Sequence, residues 1–192
     1  MKEQVRVCGI DDGPFEFGNR KARATVIGAV VRVPAYLEGV LRFDVAVDGC
    51  DATEEIANAL GRSRFFEQIR AVMMDGITLA GFNVVDIGRL SSILGIPIIT
   101  FTREGPDMES IGAALRKHFT DWKERLEVIE RSPTERIVTE QNPVYIGYAG
   151  ISKRDAVALT KKCTIKGAVP EPLRMAHIIA SGVARGESKG KA

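Results

Sequence analysis

The sequence predicts an α/β fold built on one mixed β-sheet, and the order of its apolar segments carries that prediction. Three short segments with strand patterns follow one another, and their short connections favour an antiparallel meander. These segments are residues 3–10 (EQVRVCGI), 24–33 (ATVIGAVVRV) and 41–49 (LRFDVAVDG). A helical pattern follows, and strands and helices then alternate, which is typical of parallel strands joined by crossover helices. A ribonuclease H-like fold has this order of elements: a meander, a helix and then a strand that can pair in parallel with the first.

The individual elements follow from local patterns. The helical pattern after the meander covers residues 51–70 (DATEEIANALGRSRFFEQIR), where Asp51 is a suitable N-cap and apolar residues recur at helical intervals. The alternating part has strands at 71–75 (AVMMD) and 96–102 (IPIITFT), and helices at 84–95 (VVDIGRLSSILG) and 107–131 (DMESIGAALRKHFTDWKERLEVIER). The remainder predicts strands at 136–140 (RIVTE) and 144–150 (VYIGYAG), then helices at 152–163 (SKRDAVALTKKC) and from about Pro172 to Val183. We expect a single domain over residues 1–185 and a disordered tail at 186–192.

Composition limits the class of protein. The chain has 192 residues, of which 45% are hydrophobic, enough for the core of one domain. Cys8, Cys50 and Cys163 lie far apart, so the sequence indicates neither a zinc site nor a disulfide framework, and we expect small core residues in a reducing compartment. No segment has the length of a signal peptide or a membrane-spanning helix. These features predict a cytoplasmic protein with no membrane partner.

Two aspartates end strands that this fold order places side by side. Asp11 ends the first strand, and Asp75 ends the strand expected to pair with it in parallel. The carboxyl ends of parallel strands meet at one edge, so the two side chains should project together. Like charges so placed repel, and a bound divalent cation or a shared proton is the usual relief. Because only oxygen ligands are available, Mg²⁺ is favoured, with Mn²⁺ as a second option.

A third carboxylate ligand is expected near the start of the helix after the meander. Asp51 is the first choice, and Glu54, about one helical turn further along, is the second. A cation held in this way would lower the pKa of a water molecule, orient a phosphate and stabilise a leaving oxygen. The predicted chemistry is therefore metal-assisted hydrolysis of a phosphodiester.

A structural interpretation competes with this one. The stretches IDDGPF (10–15) and MMDGIT (73–78) are both rich in residues that favour turns, and either alone is typical of a turn. Their positions at the ends of neighbouring strands favour a site. Asp12 is expected to face away from Asp11 and to shape the turn.

Three ordered motifs resemble the endonuclease V superfamily, and most closely its archaeal branch, part of which is named endonuclease dU. CGIDDG (8–13) contains the Gly-Ile-Asp of the first strand in that superfamily. MMDGITLAGFNVVDIGRLSSILGIPIITFTR (73–103) contains its strand-ending Asp-Gly and its Gly-Ile-Pro. VPEPLRMAH (169–177) is similar to its C-terminal motif, with Leu173 where threonine is usual.

The resemblance implies a metal-dependent endonuclease that acts on DNA at deaminated or damaged bases, with deoxyuridine as the first candidate. Asp11 and Asp75 would hold the metal. Arg103, His177 and Arg174 would contact phosphate or assist proton transfer. Arg174 and His177 share one face of the last helix because they are three residues apart.

The chain also departs from endonuclease V. Arg103 stands where that family has lysine, and Gly81, Phe82 and Asn83 replace a His-Pro-Arg-like stretch. The base-recognising wedge of that family is not found, since PAYLEGV (34–40) resembles it only faintly and lies between the second and third strands. Inosine specificity therefore does not carry over.

The loop after Asp75 holds the candidate nucleic-acid contacts, which are Gly76, Phe82 and Asn83. Phe82 has two open interpretations, because it could stack on a base or act as a hydrophobic staple for the helix starting near Val84. Competing functions also stay open: a single-strand DNA exonuclease, a binding module without catalytic activity and, last, a small-molecule phosphohydrolase. The sequence indicates no protein partner.

Overall fold

The computed structural model describes residues 5–139 and 142–188. The strands are β1 Arg6–Asp12, β2 Arg23–Arg32, β3 Tyr36–Ala46, β4 Ile69–Asp75, β5 Thr78–Leu79, β6 Asn83–Val84, β7 Ile98–Thr102, β8 Glu135–Val138 and β9 Pro143–Ala149. The helices are α1 Ala52–Gly61, α2 Ile87–Leu94, α3 Met108–His118, α4 Trp122–Glu130, α5 Lys153–Cys163 and α6 Glu171–Arg185. Parts of three predicted segments lie outside the described residues: 3–4 of the first strand, residue 140 of the strand at 136–140, and 189–192 of the tail.

The main sheet has seven strands in the order β3-β2-β1-β4-β7-β9-β8. β1, β2 and β3 form the predicted antiparallel meander, and β4 pairs in parallel with β1 and with β7. β9 then pairs antiparallel with β7 and with β8. This arrangement agrees with the mixed sheet predicted for a ribonuclease H-like fold. The short β5–β6 hairpin stands apart from the main sheet, in the loop after β4.

Helices cover both faces of the sheet. Alternate residues of a strand point to opposite faces, so Ile10 and Met74 pack with α1 and α2, whereas Val7 and Met73 face α5 and α6. We call these the α1/α2 face and the α5/α6 face. No helix in the described ranges is long and apolar enough to cross a membrane.

Two predicted helices are shorter in the structure. The helix predicted over 107–131 is divided into α3 and α4, because Phe119 adopts an extended backbone (φ −130°, ψ 134°). Its buried ring contacts Phe82, with the ring centroids 5.6 Å apart. The helix predicted over 51–70 ends at Gly61, and a 3₁₀ turn at Phe66–Gln68 leads into β4.

The cysteine prediction holds for two of three residues. Cys8 and Cys163 are buried, and burial raises the pKa of each thiol to about 12. Cys50 is exposed in the connection between β3 and α1, so its assignment to the core was wrong.

A glycine allows α6 to lie directly on β1. A Cβ atom on Gly9 would come within 2.2 Å of the backbone carbon and oxygen of Pro172. No other residue type fits, since real side chains keep Cβ well beyond that distance. This contact fixes the position of α6 along β1. It therefore decides which residues of the helix reach the end of that strand.

Replacing Gly9 tests this contact. We expect Gly9→Ala to lower the free energy of unfolding by at least about 2 kcal/mol, because the opposing atoms are backbone and cannot swing aside. Gly61→Ala is the matched control, since a Cβ there meets nothing within 4 Å, and it should be neutral or stabilising by about 0.5–1 kcal/mol. Urea unfolding followed by circular dichroism measures both, and equal effects would contradict the close approach.

Candidate functional site

Asp11 and Asp75 lie side by side at one edge of the sheet. The parallel register pairs Ile10 with Met74, so the next residue on each strand is an aspartate. Both point toward the α5/α6 face, because alternate residues share a face. The structure therefore places this pair where the order of elements predicted it.

His177 joins the pair from α6. The helix runs along β1 in the same direction, with Pro172 against Gly9 and Ala180 near Gly13. That alignment brings His177 Nδ1 to 2.8 Å from Asp11 Oδ2, a hydrogen-bonding distance. The contact orients the imidazole ring at the carboxylate edge.

The electrostatics of the edge reflect crowded negative charge. Burial raises the pKa of Asp11 to about 7, helped by the neighbouring charges of Asp75 and Asp12 and opposed by the hydrogen bond from His177. The Asp75 carboxylate reaches solvent, yet the protein around it removes part of its hydration and raises its pKa, an effect offset by the charges of Arg103 and His177. Arg103, which follows β7, thus lies close enough to Asp75 to stabilise its charge.

Asp12 is a third carboxylate at this edge, and sequence reasoning gave it only a turn-shaping role. It points toward the α1/α2 face, where its Oδ2 accepts a hydrogen bond from Ala80 N at 2.8 Å. Burial raises its pKa, and the nearby charge of Asp75 adds to the shift. Ala80 has a positive φ of 47° and accepts a bond from Asp48 N, so Asp12 anchors a strained loop. The sequence signal for a second role of Asp12 was the pair of consecutive aspartates at the end of a strand.

The structure does not bring Asp51 or Glu54 to this cluster. Asp51 accepts hydrogen bonds from Ala46 N and from Asn83 Nδ2, and it also pairs with Arg23. Glu54 forms an ion pair with Arg89 at 2.6 Å. The expectation that Asp51 or Glu54 is the third metal ligand is therefore wrong, because both carboxylates bind other residues of the chain. Among residues 5–139 and 142–188, no three His, Cys, Asp or Glu side chains are grouped to hold a metal ion.

Asn83 is structural, which corrects its assignment as a nucleic-acid contact. Its side chain is 0% exposed, accepts a bond from Ala52 N and donates to Ala46 O and to Asp51. It thereby ties the start of α1 to the end of β3. Phe82 is half-buried and packs edge-on against Phe119, so it stabilises the α3–α4 connection rather than the start of α2.

Arg174 also has a partner other than the one predicted. Its guanidinium forms an ion pair with the buried carboxylate of Glu171 at 2.6 Å. It lies about one helical turn before His177, further from the carboxylate edge, since α6 runs parallel to β1. The phosphate contact expected for Arg174 stays a prediction, since the ion pair leaves its side chain 39% exposed.

A cavity of about 540 Å³ opens on the other side of the same edge. It begins at Gly76, which has a positive φ of 74°, and at Thr102, the neighbours of Asp75 and Arg103 respectively. Its wall is largely apolar and includes Ile77, Pro106, Met108, Ile111, Ile129 and Tyr145. The cavity faces the α1/α2 side, whereas Asp75 faces the α5/α6 side.

The PAYLEGV segment lies at the far end of the sheet. Tyr36 pairs with Arg32, and Arg32 pairs with Arg6 at the start of β1, opposite the strand end that carries Asp11. Along β1, Asp11 follows Arg6 by five residues of extended strand, which is roughly 17 Å. Within one molecule this segment is not part of the carboxylate edge.

Comparison with known proteins connects the chain to nucleases. Residues 3–184 match the family model described as Endonuclease dU. A UPF0215 protein of Methanothermobacter thermautotrophicus is 46% identical over 192 residues, covering 100% of this chain and 94% of the relative. The crystal structure of a protein of unknown function from Archaeoglobus fulgidus matches with a TM-score of 0.83 and 36% identity, covering 93% of this chain and 98% of that chain.

Endonuclease V structures share the fold at low identity. That of Ciona intestinalis, in complex with a DNA containing an inosine followed by a ribo-adenosine, has a TM-score of 0.59 and 14% identity over 91% of this chain and 83% of that chain. The catalytic domain of human Endonuclease V has a TM-score of 0.61 and 16% identity over 95% and 83%. At these identities the likeness supports the ribonuclease H-like fold alone, and it confirms that prediction.

The raised pKa of Asp11 predicts a pH-dependent stability. The folded protein keeps the Asp11 proton up to about pH 7, whereas an unfolded chain releases it near pH 4. Metal-free protein should therefore lose stability as pH rises between these values, and Asp11→Asn should not suffer this loss. We expect the variant's advantage in urea unfolding with EDTA to grow across that window. An advantage that does not change with pH would contradict the assignment.

Proposed function

The chain belongs to the endonuclease dU family, and from that premise we propose that it is a metal-dependent endonuclease that cuts DNA at deaminated or damaged bases. Membership of this family supports a nuclease. The observation that carries the finer proposal is the Asp11–Asp75 pair, flanked by His177 and Arg103 and adjoining a cavity of about 540 Å³ that has room for a nucleobase. Deoxyuridine is the first candidate lesion, in keeping with the family's name.

The carboxylate edge fits Mg²⁺, with Mn²⁺ as the alternative. In the described part of the chain Asp75 accepts no hydrogen bond, and burial raises its pKa and, together with the neighbouring carboxylates, that of Asp11. Such a pair gains most from a cation. Mg²⁺ commonly binds through one or two carboxylates, with water and substrate phosphate completing its shell, so Asp11 and Asp75 would hold it without a third protein ligand. Asp12 is the nearest further carboxylate.

The chain's own groups suit phosphodiester hydrolysis. A bound cation would supply Lewis-acid stabilisation of charge on the phosphate and lower the pKa of a water molecule. Asp11 orients His177 through Nδ1, which leaves Nε2 to exchange a proton with the attacking water or with the leaving oxygen. Arg103 can hold a phosphate through its planar guanidinium. Water adds to phosphorus, the bond from phosphorus to the leaving oxygen breaks, and a proton passes to that oxygen.

The cavity favours a lesion-directed endonuclease over an exonuclease. A base in a duplex cannot reach a concave pocket, and enzymes that read single bases extrude them from the stack. The cavity opens at Gly76 and Thr102, so an extruded base could enter while its phosphate lies at Asp75 and Arg103. Tyr145 offers a ring for stacking. Thr102 Oγ1 donates to Glu104 O and can still accept a bond, and Thr100 Oγ1 accepts from Gly147 N and can still donate one, so the polar edge of a uracil would meet one acceptor and one donor.

Asp75→Asn tests the metal site. We expect single-turnover cleavage of a duplex with one deoxyuridine, in Mg²⁺ or Mn²⁺, to fall by at least about 100-fold, because the variant loses a charged metal ligand. Glu54→Gln is the matched control, since Glu54 pairs with Arg89 away from the edge, and should cut as the wild type does. Normal cleavage by Asp75→Asn would refute the site. Wild-type protein that binds the duplex, takes up Mn²⁺ only weakly in calorimetry and cuts no substrate would instead indicate the inactive binding module.

Met108→Trp tests the cavity separately from the metal. Met108 lines the cavity and is 37% exposed at the start of α3, so a larger ring there should fill the space without disturbing the core. Cleavage at deoxyuridine should fall at least about tenfold, while Mn²⁺ uptake measured by calorimetry stays at the wild-type level. Unchanged cleavage would exclude this cavity as the base site.

A further inference from the structure

The loop that follows the carboxylates carries an exposed aromatic ring. Residues 13–22, which we call the β1–β2 loop, begin directly after Asp11 and Asp12. Phe17 in this loop is 81% exposed, the highest value among the large hydrophobic residues that the structure describes as exposed. A phenylalanine so exposed forgoes roughly 2 kcal/mol of burial free energy, and its place at the carboxylate edge suggests that a ligand covers it.

Both ends and the middle of the loop are anchored. Gly13 N donates to Thr25 O, and Val47 N donates to Ala22 O. Arg20 donates to the carbonyl of His118, and its guanidinium lies over the ring of Phe119. The loop is therefore fastened to α3 as well as to the sheet.

The ring itself is supported from below. Phe15 packs on the core of the α1/α2 face, and its ring centroid is 4.8 Å from that of Phe17. Phe17 is thus presented outward on a hydrophobic base rather than folded against the loop. Stacking on a preset ring costs little conformational entropy.

The charges around Phe17 fit a polyanion. From residue 13 to residue 23 the chain has three cations, Arg20, Lys21 and Arg23, and one acid, Glu16. Arg23 is paired with Asp51, and Arg20 is held by α3. Lys21 is exposed, and the described residues give it neither a hydrogen bond nor an ion pair, so its ammonium is available for a phosphate.

We propose that Phe17 stacks on a nucleobase of the DNA substrate next to the cleaved phosphate, and that Lys21 contacts the backbone beside it. The proposal rests on the proposed function and adds a contact to it. Two other aromatic candidates are unsuitable, since Phe82 is packed against Phe119 and Tyr36 lies at the opposite end of the sheet. Base stacking on a single ring is tolerant of sequence, so Phe17 supplies affinity and position rather than choice of lesion.

Binding measurements can locate this contact independently of cleavage. Fluorescence anisotropy in Ca²⁺, with a labelled duplex that holds one deoxyuridine, gives the affinity of wild type, Phe17→Ala and Tyr36→Ala. A series of duplexes, each with one abasic nucleotide at a different place near the lesion, then shows which base is stacked. We expect Phe17→Ala to bind about 5- to 100-fold more weakly. Tyr36→Ala should bind normally, because Tyr36 is an exposed aromatic residue (67%) far from the edge.

The abasic series provides the decisive comparison. One abasic position should weaken wild-type binding and have no further effect on Phe17→Ala, because the same contact is already lost. Lys21→Ala should show the same dependence on the position of the abasic nucleotide. Its binding should depend less on salt, by the equivalent of about one phosphate contact. Thermal melting of Phe17→Ala should match the wild type, which excludes a folding defect.

The unfavourable outcomes are distinguishable. If wild type and Phe17→Ala bind equally, the stacking inference is overturned. The proposed function still stands in that case, provided that the wild type cuts at deoxyuridine. Weaker binding with an unchanged abasic pattern also overturns the stacking contact. A change in sedimentation on Phe17→Ala would assign the ring to contact between two copies of the chain instead. Wild type that neither binds nor cuts this DNA overturns both proposals.

Discussion

Parallel pairing of β1 and β4 forces two carboxylates to lie together, and the rest of the site depends on this constraint. The register leaves Asp11 and Asp75 no freedom to separate along their strands, since each is fixed by the ladder beneath it. Burial, and after it the repulsion from the neighbouring carboxylates, raises the pKa of Asp11 to about 7. A fold that maintains such a pair gives up stability in its metal-free form, which is the usual price of a preorganised binding site.

The surrounding elements limit that cost without removing it. α6 approaches β1 so closely at Gly9 that His177 can reach Asp11, while β7 delivers Arg103 to the side of Asp75. These two basic groups flank the carboxylates but do not neutralise them fully, since both aspartates keep raised pKa values. The remaining negative potential favours the cation proposed for this edge, and in that proposal Arg103 would hold the phosphate.

Sequence reasoning succeeded where local pattern and strand order determine position. Asp11 and Asp75 end strands whose pairing follows from the meander, and His177 follows from the helical spacing of a recognised motif. It failed for Asp51 and Asn83, whose side chains have partners fixed by tertiary structure, since they bind each other and Ala46. Polar residues of the right type near a site are equally suitable as ligands or as clamps, and only the contacts decide. The division of the helix at Phe119 has the same origin, because a distant ring, Phe82, contacts the residue where it breaks.

In the proposed function, the two faces of the sheet separate chemistry from recognition. The carboxylates and His177 lie toward the α5/α6 face, whereas the cavity opens toward the α1/α2 face, and the two meet at Asp75–Gly76 and Thr102–Arg103. A phosphate held on one side and a base held on the other must therefore be joined across the edge of the sheet, which a nucleotide stacked in a duplex cannot do. Only a nucleotide turned out of the helix spans that edge, and its neighbours are left without a stacking partner. An exposed ring on the first loop of the same edge is placed to provide one, so extrusion of a base and exposure of Phe17 become two consequences of a single geometry.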